Sequence, residues 1–335
     1  MEWKLDKSAK CAVIGHGSWA TAIVKILCEN EQSVGWYVRN SEVLESLSDK
    51  GINIKYLRNI EFDTSKIVVS DDINQVVAAA DIVILATPSS YLKLYLEPLT
   101  VSLKDKLIIS AIKGIVPEQY QTVTEYIHSR YDIPFSQLGV VTGPSHAEEV
   151  SQGKLSYLTV VCPDIDNARV LENKIKTKFI NTTISTDLYG IEYATVLKNI
   201  YALAVGLAVG LGYGDNFIAV LTANCAREMS TFLRKSYPDI RETRASAYLG
   251  DLLVTCYSTH SRNRRLGVLI GKGLTVKSAL NEMTMIAEGY FAAETIHHIN
   301  KRCGVEMPIA NMVYNILYNQ DSARKAMSRL TKELI

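Results

Sequence analysis

Three segments in the second half of the chain and nearby loops carry side chains that packing alone does not require. Lys198 lies with Asn199 inside the strongly apolar run Ile191–Val209. An ammonium there is costly to bury unless it is paired or used, and otherwise it must snorkel to the surface. Asp251 sits between Tyr248-Leu249-Gly250 and Leu252-Leu253-Val254. An acid in such company either caps a helix or orients a lysine. Ser261-Arg262-Asn263-Arg264-Arg265 leads into the apolar stretch Leu266–Ile270. Ser261 suits an N-cap, which puts Arg262 and Asn263 in the first helical turn, where their donors and the helix end make a phosphate site. A solvated basic face or a nucleic-acid patch would use the same residues. The formal net charge of +1 and the lack of interleaved aromatics count against nucleic acid.

A second kind of chemistry is written near the N-terminus. The run Lys10–Ile14 predicts a buried strand, followed by Gly15-His16-Gly17-Ser18-Trp19-Ala20 and then by helical periodicity to Cys28. Strand, G-x-G-x-x-A and helix form the entrance to a dinucleotide fold. Gly15 serves the tight turn, Gly17 admits a pyrophosphate to the backbone, and Ala20 lets the helix pack close. The other reading is a tight turn with no ligand. After the next strand, Val34–Val38, stands Arg39-Asn40. NAD-specific folds place an acid there to hold the ribose hydroxyls, whereas an arginine suits a 2′-phosphate, so NADPH is favoured over NADH.

These residues need elements to position them. Apolar strands are expected at Cys11–Ile14, Val34–Val38, Ile67–Val69, Ile82–Ala86, Leu107–Ala111, Leu138–Val141 and Leu158–Val161. Helical stretches lie between most of them, Val76–Ala80 and Gln119–Ser129 included. That alternation indicates a parallel sheet covered on both faces, with ligands outside the carboxyl ends of the strands. There the chain places Thr87-Pro88-Ser89-Ser90, Ile112-Lys113-Gly114 and Thr142-Gly143-Pro144-Ser145-His146-Ala147. Each is an ordinary loop taken singly; the three together indicate a site. From about Asp187 the strands stop, and Leu188–Val209, Asn216–Lys235, Arg264–Gly271, Gly289–Lys301 and Ile309–Asn319 read as helices, the last with Pro308 in its first turn. The expected architecture is an α/β Rossmann-like doubly wound domain over residues 1–186 and an all-α domain over residues 187–335.

Composition sets the outer bounds. At 335 residues, 47% hydrophobic and 21% charged, two ordinary globular domains are expected. Six scattered cysteines without C-x-x-C favour reduced thiols in a cytoplasmic protein. The histidines show no metal-ligand spacing, so no metal is expected. The apolar segment Ile200–Tyr213 falls short of the roughly 18 residues that span a bilayer, so no membrane insertion is expected. Its Gly206-x-x-x-Gly210 spacing reads as close packing of a buried helix.

Taken in order along the chain, these segments resemble the NAD(P)-dependent sn-glycerol-3-phosphate dehydrogenases of the bacterial type. The likeness is carried by Gly15–Ala22, Lys113-Gly114, Gly143–Val150, Leu197–Ile200, Gly212–Asn216, Gly250–Leu252, Ser261–Arg265 and Ala287–Gly289. It implies a helical domain like the C-terminal one of 6-phosphogluconate dehydrogenase. It also implies that Ser18, Trp19, Arg39, Lys113, Ala147, Arg262, Ile286 and Glu288 contact the NAD(P) cofactor. Lys113, Gly143, Ser145, Lys198, Asp251, Ser261, Arg262 and Asn263 would contact a phosphorylated triose. Lys198 would be the proton donor and acceptor, with Lys113 stabilising the developing oxyanion and Asp251 holding Lys198. The family makes sn-glycerol 3-phosphate from dihydroxyacetone phosphate for phospholipid synthesis, in the cytoplasm and commonly as a homodimer. His146, the apolar Phe217–Thr222 and the loop Tyr257–His260 depart from the usual pattern without removing any of these residues. The alternatives are a related hydroxyacid dehydrogenase, which would lack the phosphate clamp, and a non-catalytic NAD(P)-sensing module, in which the lysines would have no purpose.

Overall fold

The chain is described by a computed structural model over residues 4–335. It divides into two compact units, one running to Ile112 and resuming over Val123–Leu188, the other made of Lys113–Thr122 and Tyr189–Ile335.

Short strands, the central ones apolar and buried along their whole length, build the first unit. These are β1 (Cys11–Ile14), β2 (Val34–Tyr37), β3 (Ile67–Ser70), β4 (Ile82–Leu85), β5 (Leu107–Ser110), β6 (Leu138–Thr142), β7 (Ser156–Val161) and β8 (Ile180–Ser185). They form one sheet in the order β3-β2-β1-β4-β5-β6-β7-β8. The first six strands have the doubly wound dinucleotide-binding order, with β1 paired to β2 on one side and to β4 on the other. Between the strands run α1 (Ser18–Cys28), α2 (Ser41–Lys50), α3 (Ile73–Ala78), α4 (Leu92–Leu96), α5 (Val123–Tyr131), α6 (Ala147–Ser151) and α7 (Ile165–Ile175).

The sheet departs from the expected one in two ways. Strand β7 runs antiparallel to β6. The only helix between them, α6, has five residues. At 1.5 Å per residue it is too short to carry the chain back along the sheet for a parallel crossover. Strand β8, parallel to β7, was not expected; its half-exposed Ile-Asn-Thr-Thr-Ile-Ser lacks the continuous apolar run of the inner strands.

The second unit is helical, with α8 (Leu188–Gly210), α9 (Asp215–Ser236), α10 (Asp251–Tyr257), α11 (Arg262–Gly271), α12 (Val276–Asn281), α13 (Glu288–Cys303), α14 (Pro308–Tyr318) and α15 (Ala323–Leu330). Helix α8 has 23 residues, and by length and composition it could cross a membrane, longer than the apolar segment read from sequence because it continues through Tyr193 and Lys198. It is instead a core helix, with 89% of its most apolar window buried. Two glycine pairs let it touch α11 backbone to backbone. A Cβ on Gly206 would lie 2.1 Å from the Arg264 carbonyl oxygen, and one on Gly267 would lie 2.2 Å from that of Leu203. Gly210 and Gly271 repeat the arrangement one turn on.

Lys113–Thr122 also belongs to this unit, although it follows a sheet strand. The Asn199 side-chain amide donates to the Lys113 carbonyl at 2.6 Å, and Tyr120 stacks on His298 with ring centroids 4.5 Å apart. The helix expected from Gln119 starts only at Val123, because Glu118 and Tyr120 adopt φ of 67° and 52° and the segment closes on itself by a Val116–Gln121 bridge.

Candidate active site

In the first unit the glycine turn is held rigidly. The indole of the fully buried Trp36 donates to the Gly15 carbonyl at 2.6 Å, and the Asn53 amide donates to the His16 carbonyl at 2.9 Å. Gly15 is required by the protein itself: its φ is +123°, and a Cβ would sit 2.5 Å from the Ala86 carbonyl oxygen. Gly17 is different. It has an extended backbone, and a Cβ there would meet nothing within 4 Å. No contact within the protein requires a glycine at 17. Gly17 is also the N-cap of α1, which has no side-chain cap and no acid in its first turn. The N–H groups of Ser18 and Trp19 therefore begin a helix suited to an anion. These features fit a dinucleotide diphosphate. At the end of β2, Arg39 is exposed, while Asn40 is occupied in capping α2 through the Val43 N–H. Ala147 opens α6, which packs on α1, where Lys25 donates to the Ser151 carbonyl at 2.7 Å. Gly143, with φ +132°, and Ser145, whose hydroxyl donates to the Gly143 carbonyl, also lie in this unit.

The second unit gathers the charged residues. Lys198 is 2% exposed on α8 and ion-paired with Asp251 in the first turn of α10. Of the readings open from sequence, burial with a partner is the one observed. Asp251 meets the lysine rather than serving as a cap. Lys113 is half-buried close by, and its amine is pushed down to about 7 by burial first and by Lys198 and Arg262 next, with Asp251 opposing. Ser261 does cap α11, accepting from the Arg264 N–H, and leaves Arg262 exposed at the helix start. That first turn contains no acid. Ile286 and Glu288 flank the start of α13.

Asn263 has a second task that sequence reasoning missed. It is buried; its amide nitrogen donates to Asn199 Oδ1 at 2.8 Å and its Oδ1 accepts from the Gly289 N–H at 2.8 Å. Asn199 in turn donates to the Lys113 carbonyl. This chain of amides ties the Lys113 segment, the Lys198 helix, the start of α11 and the start of α13 into one frame. The only signal for it in the sequence was Asn199 standing beside Lys198 in an apolar helix.

The model of the NAD-dependent glycerol-3-phosphate dehydrogenase N-terminus matches residues 10–168, and that of the C-terminus matches residues 187–328. A glycerol-3-phosphate dehydrogenase [NAD(P)+] of Exiguobacterium sp. is 35% identical over 97% of this chain and 96% of its own length. The enzyme of the same name from Staphylococcus haemolyticus is 33% identical over 96% of this chain and 98% of its own. The chain belongs to the NAD-dependent glycerol-3-phosphate dehydrogenase family. The crystal structure of the glycerol-3-phosphate dehydrogenase of Coxiella burnetii shares the fold, with a TM-score of 0.89 at 24% identity over 97% of this chain and 99% of that one. The glycine turn and Arg39 fall in the N-terminal match, and Lys198, Asp251 and Arg262 in the C-terminal one.

Proposed function

We propose that this chain catalyses the reversible NAD(P)H-dependent reduction of dihydroxyacetone phosphate to sn-glycerol 3-phosphate. The observation that carries the reading is the buried Lys198–Asp251 pair, set with Lys113 and the acid-free start of α11 in one helical unit. The glycine turn, Ser18, Trp19, Arg39 and Ala147, with Lys113, Arg262, Ile286 and Glu288, are the residues assigned to the cofactor. When bound, the nicotinamide supplies the hydride that adds to the ketone carbon. Lys198, held by Asp251, gives its proton to the carbonyl oxygen as negative charge builds there, and takes it back in the oxidising direction. Lys113 stabilises that oxyanion while it is charged. Arg262 and the N–H groups of the α11 first turn bind the phosphate, with Ser261, Asn263, Gly143 and Ser145 completing the substrate set, so that binding energy fixes the reacting carbon.

Arg39 in place of an acid supports a preference for NADPH over NADH. The product feeds glycerophospholipid synthesis in this reading; a cytoplasmic location and a homodimer are further parts of it and rest on the family resemblance. The test follows NADPH absorbance with dihydroxyacetone phosphate and with a 2-keto acid of similar size as alternative substrates. Oxidation with the phosphorylated ketone alone is expected. Turnover of the keto acid alone would make the chain a hydroxyacid dehydrogenase, and binding of NADPH without turnover of either would leave a sensing module.

A further inference from the structure

We propose that Tyr95 is a positioning residue for cofactor choice, holding Arg39 as a preformed seat for the ribose 2′-phosphate beside the glycine turn; this rests on the reading of Arg39 given above. Three observations converge on Tyr95, in α4. The Arg39 guanidinium lies over its ring, 5.1 Å from the centroid. Its hydroxyl is 3.0 Å from His16 Nδ1, in the middle of the glycine turn. Its ring meets Tyr37 of β2 edge-on, at 6.0 Å and 88°. Tyr95 is almost wholly buried although Arg39 is exposed, so a buried ring carries a solvent-facing cation.

Each contact has a consequence for a phosphate. A free arginine side chain must give up rotamer entropy when it binds, and one already laid on a ring gives up less. Among the described residues no carboxylate lies within ion-pair range of Arg39, so its two-pronged donor face remains available for an oxyanion. Burial pushes the Tyr95 hydroxyl up to about 12, so it remains a donor. Burial first, then Lys55 and Arg39, lower the pKa of His16, which favours a neutral ring beside the Tyr95 hydroxyl. Lys55 joins from a turn fixed by the fully buried Asn53, whose Oδ1 accepts from the N–H groups of Lys55 and Tyr56 at 3.1 Å. Lys55 is itself paired with Glu42 at 2.7 Å. A ribose hydroxyl has no use for this arrangement, whereas a dianion does.

The experiment is calorimetric titration of the full chain with adenosine 2′,5′-bisphosphate and with 5′-AMP. Tyr95→Leu is expected to weaken the bisphosphate about 2- to 5-fold, the size of an exposed cation–π contact, and to leave 5′-AMP within about twofold. Tyr95→Phe, which keeps the ring, should recover at least half of that loss. In an Arg39→Ala background Tyr95→Leu should cause no further selective loss. Equal weakening of both probes, or a selective loss that persists without Arg39, overturns the role of Tyr95 alone. If Arg39→Ala itself weakens both probes equally, the reading of Arg39 falls and this proposal with it. Should Tyr95→Leu fail to fold, Tyr95→Met replaces it in the same comparison.

Discussion

A lysine and an aspartate, 2% and 1% exposed, are buried as an ion pair, and removing one partner would leave the other's charge in the interior. That dependence separates chemistry from stability. Lys198→Ala is expected to lower kcat by about 10²–10⁴-fold, the usual worth of a positioned proton donor, with NADPH affinity by fluorescence titration unchanged. It should also lower the thermal midpoint, since the buried Asp251 loses its ion-pair partner. The double variant Lys198→Ala/Asp251→Asn should regain most of that midpoint and none of the turnover. Turnover that recovered with the midpoint would show that the lysine serves the fold alone. Arg262 presents the opposite case, an exposed side chain with little packing to lose. Arg262→Ala is expected to raise the KM for dihydroxyacetone phosphate about 10- to 100-fold, the worth of a charge-assisted hydrogen bond, with a small change in melting temperature. An unchanged KM would move the phosphate elsewhere.

Between α8 and α11 the glycine pairs set how near Lys198's helix comes to the start of the helix that carries Arg262. Gly206→Ala would thrust a Cβ to 2.1 Å from the Arg264 carbonyl, so the helices must part. A loss of about 1–3 kcal/mol in urea denaturation is expected, together with a raised KM for the phosphorylated substrate. Gly214→Ala, where a Cβ meets nothing within 4 Å, should cost about 1 kcal/mol at most, the loss of a glycine N-cap on α9, and leave the KM unchanged. Equal effects at both positions would mean that helix contact does not set the site. At this scale much could be read from sequence. The continuous apolar runs disclosed β1, β2, β4 and β5, and the Gly206-x-x-x-Gly210 spacing disclosed close helix packing. What stayed hidden depended on partners distant along the chain. Gly267 and Gly271 read as packing glycines only opposite α8. Strand β8 is an edge strand whose threonines carry no apolar run. The Lys113 segment joins the helical unit through Asn199 and His298, some 86 and 178 residues further on, and no local pattern records that.

For the molecule as a whole, a formal net charge of +1 leaves the pH dependence of stability to a few perturbed groups, and two in the helical unit oppose each other. Glu228, buried on α9, accepts from the Ile309 and Ala310 N–H groups at the start of α14, at 2.8 and 3.0 Å. Burial raises it to about 7, and those N–H groups only partly offset the rise. Between its unfolded value near 4.5 and about 7, the folded chain therefore holds the extra proton, and stability falls as pH rises, by roughly 3 kcal/mol at most. Lys113 acts in the next window. Its folded value near 7 lies below the unfolded 10.5, so from pH 7 upward the unfolded chain holds the extra proton and stability rises with pH. Together they place a trough near neutrality. Glu228→Gln should start below the parent near pH 5, because its amide nitrogen cannot accept from the second of these N–H groups, and should lose the fall in stability between pH 5 and 7. Lys113→Met should exceed the parent near pH 6 and approach it near pH 9.5. Melting temperatures of the parent, both single variants and the double variant across this range decide the matter. A trough that survives unchanged in the double variant would assign the pH dependence to other groups.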